Sequence, residues 1–266
     1  MSSDAIRVEM SGPVGTVTLD RAEKHNAFDD ALIADLTDAF ERLGDDSAVR
    51  VVVLAGEGRS FSAGADLGWM ARMADYSDAE NLDDARKLAG MMRALNEMPK
   101  PTVARVHGAA IGGGVGLVAA CDIAIASERA VFCLSEVRLG LIPAVISPYV
   151  VEAIGARAAR RYFQTAERFD AATAQRLGLV HEVVKDKALD GGVEEIVEML
   201  LRNGPAAMAA AKDLIRRVSA GPVDEAMIGD TAQRIADIRA TDEGREGVGA
   251  FLEKRDPAWR TTKTGS

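Results

Sequence analysis

Residues 107–122, HGAAIGGGVGLVAACD, limit what this chain can become more than any other stretch. Three consecutive glycines, Gly112, Gly113 and Gly114, follow the β-branched, apolar run 101–106 and precede the small-residue run 115–120. The first run predicts a buried strand and the second a helix. Glycines at a strand-to-helix junction leave the backbone open to close approach. The first amides of the helix, with the positive end of its dipole, then face whatever sits there. An anion, or an oxygen that becomes anionic during reaction, suits that position. Tight packing of helix on sheet would demand the same glycines, so both readings stand at this point.

The remaining chain supplies a frame for this junction. Residues 6–10 and 15–19 alternate around Ser11, Gly12 and Pro13, which signals a hairpin. Residues 51–55, VVVLA, predict a strand buried on both faces, and 61–67, FSAGADL, a second glycine-bearing loop. Helical spacing places Ala31, Leu32, Leu36, Ala39, Phe40 and Leu43 on one face of a helix that Gly44 ends. A longer helix over 79–97 aligns Leu82, Ala85, Leu88, Ala89, Met92 and Leu95 and stops at Pro99 and Pro101. Short strands are expected at 122–126, 130–133 and 179–184, with a loop over 135–143. Ser147 and Pro148 read as an N-cap and first-turn pair. From Leu189 onward the pattern is helical, at 189–203, 205–219, 222–240 and 242–254. Strands alternating with helices and then helices alone predict an α/β body with a helical C-terminal extension. We divide the two at 1–200 and 201–266 and expect the extension to serve self-association.

Two strand-to-loop junctions with exposed backbone, Gly64-Ala65 and Gly112 to Gly114, offer the paired N–H donors that an enolate or tetrahedral oxyanion requires. Glu136 follows the glycine helix among apolar Phe132, Leu134 and Leu139. A carboxylate so placed is partly desolvated, its pKa moved up toward acid/base work; the alternative is a carboxylate that caps a neighbouring helix. Other chemistries fit less well. Gly114 and Gly116 satisfy a dinucleotide-type glycine pattern, but too few residues separate them from Asp122 for a crossover helix. No G-x-S-x-G elbow occurs, and His25, His107 and His181 stand singly, which supports neither a triad nor a metal site. Cys121 and Cys133 lie in apolar settings and read as core residues of a protein in a reducing compartment, here expected to be the cytoplasm. A net charge of −9 and a pI near 5.0 argue against a nucleic-acid partner. The start, MSSDA, carries no secretory signature, and no apolar run is long enough to span a membrane.

Several stretches together resemble the enoyl-CoA hydratase/isomerase (crotonase) superfamily. They are 21–27 RAEKHNA, 61–67 FSAGADL, 99–114 PKPTVARVHGAAIGGG, 121–126 CDIAIA, 140–143 GLIP and 250–255 AFLEKR. The resemblance implies an α/β spiral of stacked β-β-α units with a helical trimerisation region, assembled as a homotrimer or a hexameric dimer of trimers. It implies an acyl-CoA substrate, with coenzyme A as part of that substrate and no permanently bound cofactor or metal. The N–H groups of Ala65 and Gly113 match the family's oxyanion hole. Lys24, Ala27, Ala63, Asp66 and Leu67 match CoA-binding surfaces, and Phe251 and Lys254 match residues reaching CoA from a neighbouring subunit. Of the two glutamates that hydratases in the family carry, the second matches Glu136 and the first falls at Gly116.

The stretches 65–73 ADLGWMARM, 113–118 GGVGLV, 134–149 LSEVRLGLIPAVISPY and 159–163 ARRYF look most like bacterial 3-methylglutaconyl-CoA hydratases, which share that glycine. Pro143 and Tyr149 within them join Gly116 as candidate substrate contacts. Gly116 is expected to make room and remove charge for a substrate bearing its own carboxylate. The expected activity is hydration of a branched, carboxylated enoyl-CoA. A Δ3-Δ2-enoyl-CoA isomerase or a short-chain hydratase is the alternative, and an RNA-binding relative is the non-enzymatic one.

Overall fold

The hairpin closes β1 (Ile6–Ser11) onto β2 (Val14–Leu19), antiparallel, with Gly12 and Pro13 as the turn. In this computed structural model residues 5–219 and 221–260 are described, so positions 1–4 and 261–266 of the two expected segments lie outside the described residues. Asp29 caps the following α1 (Asp30–Asp45) by accepting from the Leu32 N–H. Its buried face carries Leu32, Ile33, Leu36, Ala39, Phe40 and Leu43. The helix continues one residue past Gly44, and Ala31 is exposed, where the sequence placed a stop and an inner residue.

Three repeats of one unit then build the body. β3 (Val51–Gly56) leads into β4 (Ser60–Ser62), then α2 (Leu67–Met73) and α3 (Asp78–Glu97). β5 (Thr102–Val106) leads into β6 (Ala109–Ile111) and α4 (Gly113–Ala120). β7 (Ile123–Ser127) leads into β8 (Val131–Cys133), a 3-10 turn over Glu136–Leu139, and α5 (Ser147–Thr165). The first strands of the units pair in parallel, as do the second strands. Each unit therefore lays one strand on each of two sheets and covers them with a helix, which is a spiral of stacked β-β-α turns. β9 (Phe169–Asp170), α6 (Ala171–Leu177) and β10 (Glu182–Val184) complete the sheets, which run β1-β2-β3-β5-β7-β10 and β4-β6-β8-β9.

The larger sheet is covered on both faces, as its unbroken apolar strands require. One face joins α1, α3 and α4 in the main core, and the other packs Val51, Val53, Val103 and Ile125 against Leu189, Val193 and Val197 of α7 (Leu189–Leu201). Beyond it α8 (Pro205–Ser219), α9 (Glu225–Ala240) and α10 (Asp242–Glu253) bury only Met227 and Ala250. These helices are tied to the starting ends of the strands. Lys212 pairs with Asp122 at 2.8 Å, and Arg50 donates to the carbonyls of Leu201, Asn203 and Trp259. None of the helices in the described residues is long and apolar enough to cross a membrane.

Local differences from the sequence reading have physical causes. The 61–67 loop is part strand and ends in the Asp66 cap of α2, a helix too short for periodicity to reveal. Ser147 is the first residue of α5 rather than its cap, because its hydroxyl turns back to the Ala144 carbonyl. Leu82 stays 52% exposed, since only the second half of α3 reaches the core.

Candidate active site

The site is assembled on two loops that Asn26 clamps together. Asn26 is fully buried at φ +55, a conformation that asparagine tolerates. Its amide donates to the carbonyls of Glu57, Ser60 and Phe61, and its oxygen accepts from the Arg21 N–H. Phe28 and Ala65 then form a parallel bridge, with the Phe28 N–H donating to the Gly64 carbonyl and the Asp66 N–H to the Phe28 carbonyl. Arg21, nearly buried, pairs with Asp29 at 2.7 Å and Asp66 at 3.6 Å, and Lys24 reaches Asp66 at 3.4 Å. Asp66 in turn accepts from the Gly68 and Trp69 amides, and these donors with Lys24 outweigh its burial and hold its carboxyl below the ordinary range.

The two glycine loops meet backbone to backbone. A Cβ at Gly64 (φ +89) would lie 3.1 Å from the Ile111 carbonyl oxygen, and one at Gly112 (φ +53) would lie 4.0 Å from the Gly64 Cα. Around the junction the Phe28, Asp66, Gly112, Val115 and Gly116 amides all donate to carbonyls. The Ala65 and Gly113 N–H groups have no acceptor among the described hydrogen bonds, and Gly113 is the first residue of α4, where no helical acceptor exists.

Glu136 reaches over the same junction. Its Oε1 lies 3.0 Å from where a Gly112 Cβ would stand, and its Oε2 is buried with no hydrogen-bond partner among the described residues. Desolvation pushes its pKa up. That Oε2 therefore caps no helix. The turn holding it is fixed by the Leu141 amide donating to the Glu136 carbonyl and by Gly140 at φ +71. Arg138 anchors it to the Ala166 carbonyl. An electron-rich oxygen held between the two amides would sit beside a carboxylate able to carry a proton.

Other sequence candidates fall in different places. Ala27 and Ala63 are knit into the loops, through the Arg21 guanidinium on the Ala27 carbonyl and the Ala63 N–H on the His25 carbonyl. Leu67 is 82% exposed at the start of α2, and Pro143 is buried between the Glu136–Leu139 turn and α5 in the chain. Gly116 does not make room. A Cβ there would meet Ile146 Cγ2 at 2.2 Å and Met92 Cε at 3.1 Å, so the space is already filled. Tyr149 is not brought to Glu136. It lines a cavity of about 500 Å³ with Ala119, Cys121, Asp122 and Lys212, at the far end of α4 and roughly 10 Å along that helix. Phe251 and Lys254 belong to α10 and its cap, tied to the starting end of β3, and the single chain does not carry them to Glu136. The sequence reading missed Asn26 as the clamp and Ile146 as the residue over Gly116. The only signal for Asn26 was its place in the 21–27 loop, and for Ile146 none was present.

The family profile described as enoyl-CoA hydratase/isomerase matches residues 9–262. The chain belongs to the enoyl-CoA hydratase/isomerase family. A crystal structure of an enoyl-CoA hydratase from Shewanella pealeana superposes with a TM-score of 0.94 at 47% identity, covering 96% of each chain. The enoyl-CoA hydratase AKT6-1 of Alternaria alternata is 34% identical over 93% of this chain and 82% of its own length. The carnitinyl-CoA dehydratase of Citrobacter koseri is 29% identical over 97% and 99%. Within the family the chain has the crotonase-like α/β fold and is an enzyme of the hydro-lyase type.

Proposed function

We propose that this enzyme adds water to, or removes it from, a branched enoyl-CoA thioester that carries its own carboxylate, of the 3-methylglutaconyl-CoA to 3-hydroxy-3-methylglutaryl-CoA type. The observation that carries the reading is the buried Glu136 Oε2, without a hydrogen-bond partner among the described residues, beside the junction of the two glycine loops. The thioester oxygen rests between the Ala65 and Gly113 N–H groups, which stabilise the enolate. Glu136, as carboxylate, takes a proton from water while the hydroxyl adds to C3, then hands that proton to C2 as the enolate collapses. The carboxylate is regenerated, the atoms balance, and the reverse path removes water by the same group. Coenzyme A enters as part of the substrate, and these steps use no resident cofactor. Lys24, the backbone at Ala63 and Ala27, and Asp66 and Leu67 form its binding surface on one subunit.

The exposed side chains of Val248, Phe251 and Leu252 on α10 support assembly as a homotrimer or a dimer of trimers. In that assembly Phe251 and Lys254 reach the CoA bound to a neighbour. The test supplies 3-methylglutaconyl-CoA and a 3-enoyl-CoA separately in ¹⁸O-labelled water. Consumption of the first with label in the product is expected. Consumption of the second alone, with no label, would make the enzyme a Δ3-Δ2 isomerase, in which Glu136 moves a proton between carbons.

A further inference from the structure

Gly112, the N-cap just before α4, and Gly116 within it mark one face of the start of the helix, with the Gly116 amide donating to the Gly112 carbonyl. Two side chains from the segment after β8 cover that face in a row, Glu136 over Gly112 and Ile146 over Gly116. Helical Cα–Cβ bonds tilt toward the N-terminus, so a long side chain at 116 would run back toward Glu136. Ile146 forbids it: its Cγ2 and Cβ stand 2.2 and 2.8 Å from the Cβ such a residue would need, and at 3% exposure it has no room to retreat.

We infer that Ile146 is a specificity-determining residue, an apolar plug that keeps the pocket beside Glu136 to a single carboxylate and so selects thioesters whose own acyl chain bears the acceptor that holds the attacking water. The inference rests on the hydration reading above. A water aligned for attack needs an acceptor besides the proton carrier, and Ile146, Met92 and Gly116 supply none. A substrate with a distal carboxylate brings that acceptor with it; an unsubstituted short enoyl chain does not.

Two independent routes restore a second protein carboxylate. Exchanging the pair, Gly116→Glu with Ile146→Gly, removes both close contacts at the 116 Cβ and leaves the flexible Met92 tip at 3.1 Å. Ile146→Asp places a carboxylate from the other side with Gly116 untouched. Each is expected to raise the kcat/KM ratio of crotonyl-CoA to 3-methylglutaconyl-CoA at least tenfold, the size of a modest acid/base contribution, while Ile146→Leu, which keeps the plug apolar and its volume, leaves it near wild type. An Ile146→Asp ratio within twofold of the Ile146→Leu ratio overturns the inference. Ile146→Ala keeps the test decisive if the charged variants do not fold. Opening the plug to solvent water should move the ratio at least threefold toward crotonyl-CoA, and an unmoved ratio in that folded variant also overturns it. Failure of the hydration reading looks different, because the wild-type enzyme would then put no solvent oxygen into either thioester.

Discussion

Glu136 is held in a state that costs stability and serves chemistry. Its raised pKa means the folded protein disfavours the ionised form, so the stability tied to its neutral form is present below the ordinary 4.5 and is lost as pH rises through the raised value. Glu136→Gln keeps the shape and removes that charge. We expect it to lower kcat more than a hundredfold yet to melt no lower than wild type at pH 8, with the two melting curves drawing together as pH falls toward 4.5. A loss of melting temperature alongside activity would mean that the carboxylate has a partner and a structural task. The pH profile follows from the same group. The carboxylate starts and ends the cycle, so kcat/KM in both directions should fall as pH drops through the raised pKa. Asn26 is the opposite kind of residue, fully satisfied and structural. Asn26→Ala strands one buried N–H and three carbonyls and should cost about 3 kcal/mol in urea unfolding, with activity lost in proportion to the unfolded fraction.

Within α4 the glycines divide their tasks by what stands opposite them. At Gly114 an added Cβ would lie 2.6 Å from the Ser62 carbonyl oxygen, a backbone atom that cannot give way without moving β4. At Gly113 it would press the edge of the Phe28 ring at 3.0 Å, which can shift slightly and drag the amide with it. Gly114→Ala should therefore lower the melting temperature, while Gly113→Ala should leave it near wild type and lower kcat about tenfold through misplacement of the oxyanion donor. Packing thus accounts for Gly114, while oxyanion binding is the role proposed for Gly113. The long elements were legible because apolar periodicity and unbroken strand runs record burial directly, as in β3 and α1. β4, β6 and α2 were not, being three to seven residues long and set by pairing with distant chain. The site divides in the same way. Glu136 and Gly113 sit in motifs, whereas Ile146 reaches Gly116 only through the path of the chain between β8 and α5, which no local pattern encodes. Tyr149, three residues on, points to a different cavity for the same reason.

At the scale of the molecule, the C-terminal helices stand at the end of the strands away from Glu136, anchored by Arg50 and by the Lys212–Asp122 pair. α10 and the connection between α8 and α9 carry Val223, Phe251 and Leu252 at 84, 82 and 73% exposure, apolar surface of the kind that marks an interface. If α10 of one copy completes the site of the next, no single chain contains a whole site, and two differently damaged chains should repair each other. Glu136→Gln removes the proton carrier and leaves α10 intact. Lys254→Glu reverses the charge offered to the CoA phosphates and leaves Glu136 intact. Each variant is expected to be nearly inactive alone. Unfolded together and refolded at equal amounts, they should regain up to about a quarter of wild-type turnover, the fraction of sites in a closed ring that draw both intact parts at random. Homotypic assemblies mixed without refolding should regain nothing, which controls for trace contamination. If Lys254 acted on the CoA of its own chain, every refolded site would carry one lesion, and the mixture would stay at the sum of its parts.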